Sequence, residues 1–108
     1  MDKLKPSQLL RLGAKQIKHC RGTYFCRENG NGPIVKACAV GMIAIAKAGS
    51  LDVLATEEAL GELTKEYSSI RIQGRPFNED LSDFIATLND KHKRTPEQIA
   101  QRLEKEGY

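Results

Sequence analysis

Ala37-Cys38-Ala39-Val40-Gly41-Met42-Ile43-Ala44-Ile45-Ala46-Lys47-Ala48 is almost wholly apolar, yet it is built mainly from small side chains. Alanine favours helix, Lys47 is the single charge, and Gly49 can close a helix in the left-handed conformation. The stretch therefore predicts a helix over 37–48. A helix apolar on nearly every face has to be surrounded by other elements, and small residues let those elements approach closely. The run 37–46 is far short of the roughly 20 apolar residues that span a bilayer, so the expected role is that of a buried core helix and not a membrane segment.

The flanks supply what would surround it. Pro6 suits the first turn of a helix, and Leu10, Ala14 and Ile17 then recur at i, i+4 and i+7, which predicts a first helix running to about His19. Arg11, Lys15 and Lys18 share that spacing on the opposite face. Between Arg21 and Lys36 the pattern turns extended. Thr23-Tyr24-Phe25-Cys26 and Pro33-Ile34-Val35 flank Asn29-Gly30-Asn31-Gly32, which carries two Asn-Gly turn signals, so a short β-hairpin or ordered loop is expected before the central helix.

Downstream, Leu51 to Leu54 reads as a short turn and Thr56 as the N-cap of a helix over 57–67, with Leu60, Leu63 and Tyr67 inward. Residues 68–76 break the periodicity and read as a loop or short strand. Asn78 is expected to cap a fourth helix with a Leu81, Phe84, Ile85 and Leu88 stripe, ending near Asn89-Asp90, where Lys91-His92-Lys93-Arg94 supplies positive charge suited to a C-terminus. Thr95-Pro96-Glu97-Gln98 has the form of a capping box with proline at the first helical position, opening a helix that buries Ile99, Ala100 and Leu103 and ends at Gly107. The fold class expected is a mainly α, single compact domain of about five helices spanning 1–108, with the hairpin or loop before the buried central helix.

Composition narrows the function classes. The 108 residues are 40% hydrophobic and 29% charged, an ordinary globular balance. Net charge is +3, but residues 1–36 carry eight Lys or Arg against two acids, so the basic part is the N-terminal third. The N-terminus lacks the apolar segment of a secretion signal, and three cysteines make no obvious disulfide framework; a cytoplasmic location is expected.

Four chemical readings arise. The C-terminal helices resemble the start of a helix-turn-helix DNA-binding unit, but a reading helix would have to follow Gly107. Using 95–106 itself would set Glu97, Glu104 and Glu106 against phosphates. His19, Cys20, Cys26 and Cys38 are the residue types zinc prefers, without the paired Cys-x-x-Cys knuckles that hold it, so neither a metal nor any other cofactor is expected. Cys38 near a helix N-terminus could be a thiolate nucleophile with His92 as base and Asn89 or Asp90 as orienter, giving a small cysteine-dependent hydrolase or transferase as the enzymatic alternative.

The favoured reading is a non-enzymatic binding or adaptor module. It would present Arg11, Lys15, Lys18, Arg21, Tyr24 and Arg27 to an acidic protein surface, or secondly to nucleic acid, with no membrane partner. A homodimer follows if one side of the central helix is left uncovered. As short polar groups leaving a core helix, Asn89 or Asp90 is also expected to reach the segment 36–40.

Cys38-Ala39-Val40-Gly41, then Leu88-Asn89-Asp90 and Thr95-Pro96-Glu97-Gln98-Ile99-Ala100, resembles a pattern in small uncharacterised phage and bacterial proteins of unknown function. Val40 stands where that pattern has leucine, and no tryptophan precedes Asn89. The resemblance implies no activity; it suggests accessory proteins of phage or mobile elements, where small domains often bind a host macromolecule.

Overall fold

The computed structural model describes residues 4–72 and 79–108. Pro6 fixes its own φ near the helical value and has no N–H to leave unsatisfied, and it opens α1 (Pro6–Ala14), which buries Ser7, Leu10 and Gly13. This helix ends five residues earlier than its spacing predicts. The Gln16 and Ile17 N–H groups both turn back to the Gly13 carbonyl, and Lys18–His19 continue as a strand, β1. Nothing in residues 15–19 breaks a helix. The backbone edge of a later strand offers these residues a partner, and tertiary pairing overrides a weak local preference.

That partner is β3 (Ile34–Ala37), the middle strand of a three-stranded sheet in the order β1-β3-β2. β2 (Phe25–Arg27) runs antiparallel to β3, so the expected hairpin forms, while β1 adds a parallel strand with His19 opposite Ala37. The turn uses the first Asn-Gly signal: Asn29 and Gly30 both have positive φ, at 53° and 81°. The register slips between Cys26 and Arg27, which pair with Lys36 and Ile34 and leave Val35 without an opposite number. This bulge lets both Ile34 and Ala37 face the core although they are three residues apart.

Cys38 then N-caps α2 (Ala39–Ala48), its Sγ accepting from the Gly41 N–H, and Gly49 closes the helix at φ 68°. Every residue from Ala39 to Ile45 is buried. α1, α3, α4 and β3 pack around α2, so no side of that stretch calls for a second copy to cover it. Two glycines allow the close approach. A Cβ on Gly13 of α1 would overlap the Met42 carbonyl oxygen, and one on Gly41 would overlap the Tyr24 carbonyl oxygen and press on Phe25 and Ala37.

α3 (Val53–Ser68) starts four residues before its expected first residue, because Asp52 is the cap, its carboxylate accepting from the Ala55 N–H at 3.0 Å. Thr56 lies inside the helix, fully buried, and its hydroxyl donates to the Asp52 carbonyl at 2.6 Å. Leu51-Asp52 is the turn; Val53 and Leu54 are already helical. In the 68–76 region Arg71 makes one antiparallel bridge with Asp80, and positions 73–76, like the expected cap Asn78, lie outside the described residues. Asp80 caps α4 (Leu81–Asp90), and Thr95 and Gln98 form the predicted capping box of α5 (Pro96–Lys105). At its end the Gly107 N–H bonds to the Glu104 carbonyl and the Tyr108 N–H to that of Leu103, the Schellman arrangement, with Gly107 at φ 91°.

Over the described residues the fold is therefore mainly α, with five α-helices, a small sheet and one core that includes Leu10, Met42, Ile43, Ile45, Leu63, Leu81, Ile85, Ile99 and Leu103. Among the described residues no single helix is long and apolar enough to cross a membrane.

Candidate functional site

Cys38, Asn89, Asp90 and His19, among the candidate residues, meet around the start of α2. A helix N-terminus leaves backbone N–H groups without partners inside the helix. Here the Ala39 N–H donates to Asn89 Oδ1 at 3.0 Å, across fifty residues of sequence. The same oxygen lies 2.6 Å from His19 Nε2. Since that oxygen can only accept, His19 presents its protonated Nε2. Asn89 Nδ2 donates to Asp90 Oδ1 at 2.8 Å and to the Cys20 carbonyl at 3.4 Å. Asp90 Oδ1 also accepts from the Gly22 N–H. Asn89 is 1% exposed, so its amide ties α2, β1, the following loop and α4 together with each polar atom satisfied. The expected contact from the Asn-Asp step to segment 36–40 is present.

Arg21 completes the other side of this joint. Its Nε donates to the Asn89 carbonyl and its terminal nitrogen to those of Lys93 and Arg94. A cation on the Asn89 carbonyl, in the last turn of α4, complements the negative end of the helix dipole. Charge along the chain points to a binding surface for Arg21 and assigns C-terminal compensation to residues 91–94. The structure gives that task to Arg21, which only a tertiary contact could reveal.

Two further members of the expected basic surface are also engaged inside the molecule. Arg11 is paired with Glu97 at 2.9 Å and Glu104 at 2.7 Å, joining α1 to α5. The guanidinium holds the Glu104 carboxyl below its ordinary range, chiefly by hydrogen bonding. Those are two of the three acids expected to face outward from α5. The third, Glu106, pairs with Arg102. Arg27 folds over its own turn and donates to the Gly32 and Asn31 carbonyls.

What stays open is a smaller set. Lys18 and Lys36 are exposed lateral neighbours on β1 and β3. Strand alternation places Cys26 of β2 on the same face, with Tyr24, 46% exposed, two residues before it. Lys15 lies on the turn leading into β1. None of these three lysines makes an ion pair or side-chain hydrogen bond among the described residues.

A scan against protein-family models matched none, and searches of the curated proteins and of solved structures found no significant match.

The cysteine constellation differs from its expected form. Cys38 is buried, and that burial pushes its thiol up although the Gly41 and Val40 N–H groups pull the other way. Desolvation outweighs the helix terminus. His92 is exposed and lines a cleft between α4 and α5 that Cys38 does not reach, and Asn89 is occupied by the Ala39 N–H and His19. The residues named as nucleophile, base and orienter are thus not assembled into a triad. The Cys20 thiol is also raised, first by burial and then by hydrogen bonding to Cys26. All three cysteines are free thiols. No group of three or more His, Cys, Asp or Glu among the described residues is placed to hold a metal, and the His19 imidazole is turned to Asn89. In native protein near pH 7, Cys38 is expected to resist iodoacetamide while the unfolded chain is alkylated fully, as read by peptide mapping. Rapid stoichiometric labelling of folded protein at Cys38 would contradict the burial argument.

Proposed function

We propose that the protein is a non-enzymatic binding module that meets an acidic protein surface through the sheet face carrying Lys18 and Lys36, with Lys15 and Tyr24 beside them. The observation that carries this reading is the lateral Lys18–Lys36 pair, neither of which forms an ion pair among the described residues. Like charges side by side on neighbouring strands are unfavourable, and carboxylates from a partner relieve that repulsion on binding. Arg11, Arg21 and Arg27 are left out of this surface, since each guanidinium is already engaged by acceptors within the molecule. A nucleic-acid backbone is the second partner class for the same cations, with Tyr24 available for stacking.

The unassembled cysteine constellation supports a binding role over the hydrolase or transferase alternative. Three free thiols suit a reducing cytoplasm. The two segments on which the resemblance to small phage and bacterial proteins rests, Cys-Ala-x-Gly and the Asn-Asp step, meet in this chain at the Ala39–Asn89 hydrogen bond. We read that pattern as an architectural signature of accessory binding proteins.

The test compares wild type with the Lys18→Glu/Lys36→Glu double variant. Binding to a poly-glutamate peptide and to a single-stranded oligonucleotide is measured at about 50 and 200 mM salt. Wild type should bind the peptide more tightly, weaken with salt, and lose at least about tenfold on the double substitution. Binding that is unchanged in the variant removes the surface from consideration, and preference for the oligonucleotide moves the assignment to nucleic acid. Arg11 is left intact, since replacing it would loosen the α1–α5 contact and confound the result.

A further inference from the structure

A cleft of about 490 Å³ lies between α4 and α5, and none of the residues of the proposed surface lines it. Phe84 and Leu88, both buried, contribute to its lining from α4, while Gln98, Gln101, Arg102 and Lys105 of α5 line the other side, with His92 and Arg94 from the connection. We propose that this cleft is a separate binding site for a small phosphate monoester.

The charges favour an anion. Arg94, Arg102 and Lys105 face one lining carboxylate, Glu79, which already accepts from the Thr87 hydroxyl at 3.0 Å; with Arg102 paired to Glu106, which is not in the lining, the cations still outnumber the carboxylates. Arg94 and Lys105 are exposed and have no ion-pair partner among the described residues. Arg102 is held ready. Its guanidinium carbon sits 5.7 Å from the Phe84 ring centroid and its Nε donates to Glu106 at 3.1 Å, two contacts that restrain it while the two terminal nitrogens form no hydrogen bond among the described residues. A planar fork restrained in this way matches two phosphate oxygens and loses less entropy on binding than a free side chain.

The size and lining select within anions. About 490 Å³ falls in the range of small-molecule sites and is far larger than one phosphate needs. Gln101 offers an amide donor and acceptor, and Gln98, whose amide oxygen accepts the Thr95 N–H, offers its amide donor, which suits the hydroxyls or ring nitrogens of the esterified group. A monoester carries about −1.5 to −2 at pH 7, enough to engage two or three cations at once.

The experiment titrates ribose 5-phosphate, adenosine 5′-monophosphate, inorganic phosphate and unphosphorylated ribose into wild type, followed by backbone amide shifts. The expected result is saturable binding of at least one ester below about millimolar concentration. It should exceed that of inorganic phosphate, with shifts centred on residues 92–105 and none from ribose. The Arg94→Ala/Lys105→Ala variant, which removes only exposed side chains and should keep the wild-type melting temperature, is expected to bind at least about tenfold less tightly. Three outcomes overturn the proposal: no saturation by either ester, equal binding of inorganic phosphate, or shifts centred on Lys18 and Lys36. The last would return the ligand to the sheet face. Since the two sites share no residue, failure here leaves the peptide-binding test of that face untouched.

Discussion

Replacing Gly41 with alanine is expected to destabilise the protein by about 3 kcal/mol or more, a fall in melting temperature of at least about 12 °C. The added Cβ meets the Tyr24 carbonyl oxygen, with Phe25 Cε1 at 3.0 Å and Ala37 Cβ at 3.1 Å. A flexible side-chain tip could rotate away. A carbonyl at the entry to β2 cannot, because the Tyr24 oxygen accepts the Cys38 N–H that helps set the start of α2. Relief requires α2 to move off the sheet, which would disturb the Asn89 contact two residues away at Ala39. Gly13→Ala should show the same sign for a parallel reason, since its Cβ meets the Met42 carbonyl group, whose carbon would be 2.6 Å away.

Gly61 supplies the internal comparison. It sits in α3 with nothing within 4 Å of the place an added methyl would take, so Gly61→Ala should stabilise by about 0.5–1 kcal/mol through helix propensity. Chemical denaturation of the three variants reads the prediction directly. Equal effects at Gly41 and Gly61 would mean that helix propensity, and not contact with the sheet, governs Gly41.

The legible parts of this fold are those in which local chemistry and tertiary demand agree. The alanine-rich run, the Thr95 capping box, the Asn29-Gly30 turn and the Leu81-Phe84-Ile85-Leu88 stripe each act within one turn or one helix face, so adjacent residues suffice to specify them. Residues 15–19 depart from their helical spacing because that spacing, though real, is outweighed by β3, a strand sixteen residues further along. The start of α3 departs for a smaller reason: Asp52 and Thr56 are both good caps, and the first one in the chain captures the N–H groups. For the site, the meeting of Asn89 with the start of α2 follows from the need of a buried helix terminus for an acceptor. The intramolecular engagement of Arg11 and Arg21 does not, since the carboxylates and carbonyls that bind them come from α5 and from the end of α4 and the connection after it, which no periodicity brings to them. Charge counted along a chain overstates charge available on a surface.

Asn89→Leu, which keeps the volume and removes the amide, is expected to cost about 3–4 kcal/mol and on the order of 15–20 °C in melting temperature. The loss is larger than for an ordinary hydrogen bond because of what the substitution leaves behind. The Ala39 N–H remains buried without an acceptor, the His19 Nε2–H loses its partner, and the Cys20 carbonyl loses its donor. Asp90 keeps the Gly22 N–H. Asn89→Asp separates the two halves of the amide. A carboxylate can still accept from Ala39 and His19, and the helix N-terminus favours its charge. It cannot donate to Cys20, and it stands beside Asp90 as a like charge, so an intermediate loss is expected. Hydrogen exchange at the Ala39 amide gives the site-specific readout. That amide should exchange only by global unfolding in wild type, and it should gain a faster local route in Asn89→Leu even after correction for the change in overall stability. If protection of Ala39 falls only as far as global stability does, the joint does not hold the helix start, and Asn89 is an ordinary buried amide. If the local route opens, the residue pair at 39 and 89 is what fixes the register between α2 and α4, and both the exposed sheet face and the α4–α5 cleft depend on that register for their shape.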